Sequence, residues 1–506
     1  MTTRLPTSAD EVLDELVRAS LEHRSGSADA TQRERLVDLT QRLIKLRVEN
    51  GELSTHPYTG VWTHPAPIGT EVADYIRGRR VLVTGAGGCI GTALSKAIAS
   101  FQPAVLAAVD NDPGRLGRLT ELVSVDPRLV DIADFRALDD AWREVRPEVV
   151  FHLAAERQAW LAEERPRLTI ATNMLGTRNT CLLAVKHGPE RFIYASTAKC
   201  RHIYDERIYP ATKQFAEFDV YCQSRSAPQI RWSCVRFHHV VDNSIVEWTF
   251  KAQIRDDAPL TVHLPLGRSK HGQSADEAVA MLLNSSILAD GDAEVFASRS
   301  QLDQFYPLDL ALYLIKESGK ELPIVFYPPR NTDGYHLYEF PGLRRPPSDD
   351  GLAITHAFNT IQTDLDTLTI LPELQMVWTP FPEFDEEVAR RCSDAVIATT
   401  EPDPRAMTYA NLWTVAETVF ARAPVRRLVE ALRFGLTSEL LADDRKLARQ
   451  EAAFRLLLDA LLGRANSVEL AEAGAELNLL AGCSLPEIAE RAQALLERSV
   501  QDASAT

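Results

Sequence analysis

The chain has 506 residues, 45% of them hydrophobic and 25% charged, a composition that excludes a disordered polymer and allows roughly two to four folding units with sizeable cores. Its formal charge of −16 excludes a general affinity for nucleic acid or anionic membrane, so any phosphorylated ligand has to be held by a local basic pocket. No run approaches the roughly 18 apolar residues that span a bilayer and no apolar signal region opens the chain, which predicts a cytoplasmic protein; the 7 cysteines are scattered without a Cys-x-x-Cys pair, which predicts reduced thiols and no metal site.

In residues 1–70, Val12, Leu13, Leu16 and Val17, then Leu36, Leu39, Leu43, Ile44 and Val48 recur at helical spacing and predict two helices. Pro57, Pro65 and Pro67 over 54–70 predict an extended linker and a boundary. From 79 to about 237, short apolar runs (VLVT, AVLAAV, PEVVFHL, RFIYAS, IRWSCVRF) alternate with longer amphipathic stretches, the pattern of βαβ units in a doubly wound, parallel α/β sheet. This reading gives one unit over 71–347, with a smaller subdomain from about 238 to 347. The Ala/Leu/Glu/Arg-rich remainder, 348–506, reads as a mainly α-helical region.

The chemistry begins where Val81-Leu82-Val83-Thr84 enters Gly85-Ala86-Gly87-Gly88-Cys89-Ile90-Gly91. In such a strand–turn–helix, Gly85 makes the turn, Gly88 lets backbone approach a pyrophosphate and Gly91 lets the helix pack on the strand. The phosphates then rest on the helix N-terminus at Cys89 and Ile90. Asp110, about 20 residues beyond Gly91, suits a ribose 2′-hydroxyl and repels a 2′-phosphate, so NAD is favoured; a helix cap is its other reading. Arg115 and Arg118 keep NADP open. Asp131 and Ile132 would border the adenine, and Ala154 and Ala155 would lie beneath the dinucleotide. Further on, Tyr209 and Lys213 share one face if helical. An ammonium beside a phenol favours phenolate, which takes a proton from a substrate hydroxyl as hydride leaves. A chance pair on a solvated helix is the alternative.

The glycine turn, FHLAA, Asn173-Met174-Leu175-Gly176-Thr177, Ser196-Thr197-Ala198-Lys199 and Tyr209-Pro210-Ala211-Thr212-Lys213 together resemble the extended short-chain dehydrogenases/reductases. The closest likeness is to the polysaccharide-biosynthesis branch, with its UDP-N-acetylglucosamine 4,6-dehydratases and related epimerases. That branch reads TGAGGSIGSEL, STDK and GATK where this chain has TGAGGCIGTAL, STAK and PATK. Val235-Arg236-Phe237 resembles its VRFGNV, and Arg330 with Leu337-Tyr338-Glu339 its RPGEKLYE. The likeness covers roughly half the chain.

The resemblance implies a Rossmann-type sheet with a small substrate-binding subdomain, a bound NAD, a nucleotide-sugar substrate, and a homodimer or larger assembly pairing through helices beside the tyrosine. It implies Tyr209 as base with Lys213, Thr197 orienting the same hydroxyl, Asn173 supporting backbone and water, and Lys199 serving elimination. Ala198 stands where the branch has an aspartate, so either another acid, such as Asp205 or Glu206, replaces it or elimination is not the reaction. His238-His239 replaces the branch's Gly-Asn; His239 is a candidate for contacting substrate phosphate or transferring a proton, with a hydrogen-bonded core histidine as the alternative. Arg268 and Arg330 are candidates for the diphosphate, which guanidinium matches bidentately, with Lys270 and His271 adding positive charge; surface arginine is the alternative. Three readings stay open: a hydride-returning dehydratase or epimerase, a net sugar or alcohol dehydrogenase, and a non-catalytic NAD-binding module.

Overall fold

The β-branched and aromatic runs become strands β1 (Arg80–Thr84), β2 (Val105–Asp110), β3 (Asp126–Leu129), β4 (Val149–His152), β5 (Arg191–Thr197), β6 (Arg231–Phe237), β7 (Glu294–Ser298), β8 (Thr369–Leu371) and β9 (Met376–Thr379). In the computed structural model these join one sheet in the order β8-β9-β7-β6-β5-β4-β1-β2-β3. The structure describes residues 8–24, 30–57, 70–201, 207–240, 245–263, 270–291, 293–298, 304–305, 307–327, 361–362, 368–374, 376–436, 438–441 and 444–503. Every pairing from β7 to β3 is parallel, and β4 is buried along its whole length, as a strand covered by helices on both faces must be. This is a Rossmann-type, doubly wound α/β sheet. The order reverses between β1 and β4, which opens a crevice beyond the carboxyl ends of those two strands.

The chain divides into two units. The unit holding this sheet comprises Pro65–Phe237, Val279–Arg299 and Glu339–Thr506. Its helices include α1 (Cys89–Ser100), α2 (Ala159–Glu164), α3 (Thr177–His187), α4 (Ile208–Ser226), α5 (Glu386–Ile397) and α6 (Arg405–Arg422). The C-terminal region is largely helical, yet it also supplies β8 and β9, which extend the sheet antiparallel from β7. Ahead of α5, Phe381 and Phe384 pack onto α4, with ring centroids 4.9 Å from Tyr221 and 4.7 Å from Phe218 respectively. A polar set accompanies them: Arg178 of α3 reaches Asp219 of α4 at 3.1 Å and also pairs with Asp394 of α5, while Ser393 donates to Asp219 at 3.1 Å. Sheet and C-terminal helices therefore share one core.

The other unit comprises Met1–His64, His238–Ala278 and Ser300–Tyr338. Two helices form in the N-terminal segment, Ala9–Arg24 and Ala30–Glu49, and their apolar faces (Val12, Leu16, Leu36, Leu39, Leu43) meet Phe250, Leu260, Leu312 and Phe326 in its core. Strand Ile324–Tyr327 pairs in parallel with Leu260–His263. Its backbone is also bonded by helix hydroxyls: Phe326 N donates to Ser20 Oγ at 2.5 Å and Ile324 N to Thr40 Oγ1 at 3.1 Å. Two buried hydroxyls thus satisfy amides that a sheet edge would leave unpaired. Among the described residues no helix is long and apolar enough to cross a membrane.

Phe384 is 5% exposed. Phe384→Ala is expected to lower the denaturant stability of the sheet unit by about 3–5 kcal/mol. A loss below about 1 kcal/mol would mean that the C-terminal segment and α4 do not share a core.

Candidate active site

The turn after β1 is built as its glycines require. Gly85 has φ +69°, and a Cβ there would lie 2.7 Å from Ala154 Cα and N, so the loops that follow β1 and β4 meet at the crevice. At Gly91 a Cβ would collide with Gly85 O and lie 2.8 Å from Ala86 O, which only glycine avoids. Helix α1 starts at Cys89 and Ile90 with Gly88 as N-cap and no side-chain cap. Asp110, 6% exposed at the end of β2, ties the turn in place: Gly87 N donates to Oδ2 at 2.9 Å and Asp112 N to Oδ1 at 3.1 Å. The helix-capping role falls to Asp112, which accepts Arg115 N. Arg115 packs over Gly87 and pairs with Asp112 at 3.4 Å.

Beneath the crevice, His152 joins β4 to β1 and α3. Its Nδ1 lies 2.7 Å from Thr84 Oγ1 and its Nε2 2.9 Å from Thr177 Oγ1. Because Thr84 Oγ1 also accepts Leu153 N and Ala154 N, its hydrogen is left to donate to Nδ1, and Nε2–H donates to Thr177. Full burial, aided by the charge of Lys213, pushes the imidazole down to about 3, so it is neutral. Asn173, in a π-helical turn before α3, accepts Glu156 N at 2.7 Å and donates to Glu156 O and Thr212 Oγ1, each at 3.1 Å. It thereby bonds the loop after β4 to α4. Ala155 lies in that loop, half-buried. Ile132 is buried beneath Gly176, where a Cβ would come within 2.6 Å of its Cγ1, whereas Asp131 is exposed and accepts Ala133 N at 2.9 Å.

Helix α4 carries Tyr209 in its first turn and Lys213 in its second, both buried. Lys213 Nζ donates to Ala195 O at 2.8 Å and lies 4.2 Å from the Tyr194 ring centroid; burial brings its ammonium down to about 8, with the Glu217 carboxylate opposing. Thr197 ends β5, accepting Lys199 N at 3.3 Å and donating to Phe237 O at 3.4 Å. Ala198 and Lys199 open a 3-10 turn, Ala198–Arg201, and Lys199 Nζ stands 6.0 Å from the Tyr209 ring centroid. The structure thus brings Thr197, Lys199, Tyr209 and Lys213 to one end of β5 and α4.

Glu217, one turn beyond Lys213, was not read from the sequence as part of this site. It is fully buried, and Arg236 of β6 grips it bidentately at 2.8 and 2.5 Å. Ser196 Oγ and Cys200 Sγ both donate to its Oε1, at 2.5 and 3.2 Å, so Glu217 holds the segment bearing Thr197 and Lys199 from both sides. Burial opposes its charge, but the guanidinium and these donors keep its pKa below the usual carboxylate value. The Tyr209, Lys213, Glu217 spacing of four was the signal that could have revealed it.

His239 lies in the short strand His239–Val240, whose backbone pairs in parallel with Lys270–Gln273, His239 opposite Gly272; its side chain is outside the description. Arg268, Arg330, Asp205 and Glu206 fall outside the described residues.

The polysaccharide biosynthesis protein family matches residues 81–332, from β1 onward. A probable polysaccharide biosynthesis protein, EpsC, of Bacillus subtilis is 29% identical over 273 residues, 51% of this chain and 44% of that protein. An uncharacterized membrane protein of Methanocaldococcus jannaschii is 30% identical over 234 residues, 45% of this chain and 68% of that protein. The chain belongs to the polysaccharide biosynthesis protein family. It is thereby one of the extended short-chain dehydrogenases/reductases, among which shorter matches include a CDP-glucose 4,6-dehydratase of Salmonella typhimurium, 28% identical over 172 residues, 32% of this chain and 47% of that protein, and nucleotide-sugar 4-epimerases. The chain spans less than half the length of EpsC.

His152 gives a pH test. With its folded pKa near 3 and an unfolded value near 6.5, the unfolded chain binds the extra proton between those limits. Its contribution is fully present above about pH 6.5 and declines as pH falls, by about 1.4 kcal/mol per unit. A His152→Gln variant should lose that part of the slope in denaturant titrations; an unchanged slope would show that the imidazole is not held neutral.

Proposed function

We propose that this chain binds NAD and oxidises a hydroxyl, at C4, of a nucleotide-linked sugar, with Tyr209 as base and hydride returned after epimerisation or dehydration. The observation that carries the reading is the grouping of Tyr209, Lys213, Thr197 and Lys199 at one end of α4 and β5, in a chain whose family includes nucleotide-sugar dehydratases and epimerases.

The residues present fit a dinucleotide. Gly85, at φ +69°, and Gly91 leave no room for a Cβ, α1 begins without a side-chain cap, and a carboxylate has about four lone-pair sites, so Asp110 keeps acceptor capacity beyond its two backbone donors. Gly88, Cys89 and Ile90 would hold the pyrophosphate at the helix N-terminus, where amides and helix dipole favour anions. Asp110 would take a ribose 2′-hydroxyl, with Asp131, Ile132, Ala154, Ala155 and Asn173 around the same molecule. When bound, nicotinamide accepts the hydride and gives it back.

The chain's own groups handle the proton. The Tyr209 phenolate takes the hydroxyl hydrogen as the carbinol C–H leaves as hydride, and the Lys213 ammonium on the same face favours the phenolate. Thr197 Oγ1 aligns the hydroxyl. Elimination from the oxidised sugar would need an acid as well as a base. Lys199 can supply one proton-transfer group and Ala198 none, so Ala198 favours epimerisation, or net oxidation, over loss of water. His239, Arg268 and Arg330 are the proposed contacts to the nucleotide diphosphate.

Incubating the full chain with NAD and a panel of UDP-, dTDP- and GDP-sugars separates these routes by product mass and NADH absorbance. An isomer of unchanged mass marks epimerisation, loss of one water marks dehydration, and stoichiometric NADH marks net oxidation. Tyr209→Phe is expected to lower turnover by at least about 10²-fold with NAD affinity within about twofold; full activity in that variant removes the base assignment. Lys199→Met should slow any elimination while sparing hydride exchange, and an unchanged elimination rate would exclude Lys199 from that step.

A further inference from the structure

Helix α4 begins without a cap of its own. Arg207 precedes it in extended backbone, φ −111° and ψ 141°, and no side-chain cap bond is made there. The first N–H groups of a helix have no intrahelical partner, and Tyr209 sits among them, so the first turn must be held from outside or it frays.

Two other elements hold it. Glu163 of α2 accepts Ile208 N through Oε1 at 2.9 Å. Arg405 of α6 fixes Glu163 in turn, its Nε 3.2 Å from Oε2 and its Nη2 donating to Glu163 O at 2.8 Å. One turn along α6, buried Tyr409 donates its hydroxyl to Arg207 O at 2.5 Å and accepts Arg207 N. The i, i+4 pair Arg405 and Tyr409 on one helix therefore closes on the two residues immediately before Tyr209, one directly and one through Glu163.

We propose that Arg405 and Tyr409 are positioning residues for the Tyr209 phenol, so that helix α6 of the C-terminal region is a working part of the site. The inference rests on Tyr209 acting as base. Its physical content is that the Cα of Tyr209 moves with the first turn of α4, and a misplacement near 1 Å of a reacting group costs on the order of 10²-fold in rate. A merely structural role would only hold α6 against α4, and would leave the phenol of every folded molecule where it is.

The test uses the full chain with NAD and the substrate found in the panel. Tyr409→Phe removes the hydroxyl and keeps the ring. Arg405→Met loosens Glu163 at a side chain that is 41% exposed, so that it leaves the core intact. In both, kcat per folded molecule is expected to fall about 10–100-fold, with KM and NAD affinity within about threefold and the acid limb of the kcat pH profile displaced. In chain labelled with 3-fluorotyrosine, the resonance assigned to Tyr209 by its loss in Tyr209→Phe is expected to shift in both variants. Unchanged kcat per folded molecule with an unmoved resonance overturns the proposal, even if thermal stability drops. The resonance is read without substrate: if it moves in both variants while Tyr209→Phe remains active, the base assignment falls and the positioning contact stands.

Discussion

Every residue of α4 from Ile208 to Val220 is buried, although the run includes Thr212, Lys213, Gln214, Glu217 and Asp219. Buried polar groups are costly unless bonded, and this one constraint organises the sheet unit. Lys213 turns to a strand carbonyl, Glu217 to Arg236, Asp219 to Arg178 and Ser393, and the leading amide to Glu163. Gln214 differs, its amide atoms having no partner among the described residues. Each bond reaches a different element, so the helix is oriented by charge and hydrogen bonding as much as by apolar contact. A removed partner would leave a buried charge or dipole exposed to a low dielectric, which makes the arrangement all-or-none.

The parallel sheet and its glycine turn were legible in the sequence because both are local: a strand buried on two faces writes itself as an unbroken apolar run, and a turn pressed against a neighbouring loop at Gly85 and against its own backbone at Gly91 demands glycine at both. The Tyr209 and Lys213 pair was legible because its spacing is that of a helix turn. Glu217 carried the same spacing and went unread, since a carboxylate on a helix more commonly faces water. Arg405 and Tyr409 had no signal at all. Their effect depends on about 200 intervening residues folding back, and spacing patterns report only neighbours within a turn or a strand. The same holds for β8 and β9, three or four residues each, whose place in the sheet is set by the edge of β7 and not by their own composition.

The N-terminal helices show a related limit. Their apolar periodicity was plain, but not what it covered. Ser20 and Thr40 lie among the hydrophobic positions as small polar residues, and their purpose appears only against the backbone of Ile324–Tyr327, roughly 300 residues away.

The aromatic cover on α4 has one further consequence. Phe381 and Phe384 occupy the surface beside Phe218 and Tyr221, and the ion pairs of Arg178 close over its edge. A surface already filled by its own chain keeps Phe218 out of water with no second molecule laid against it.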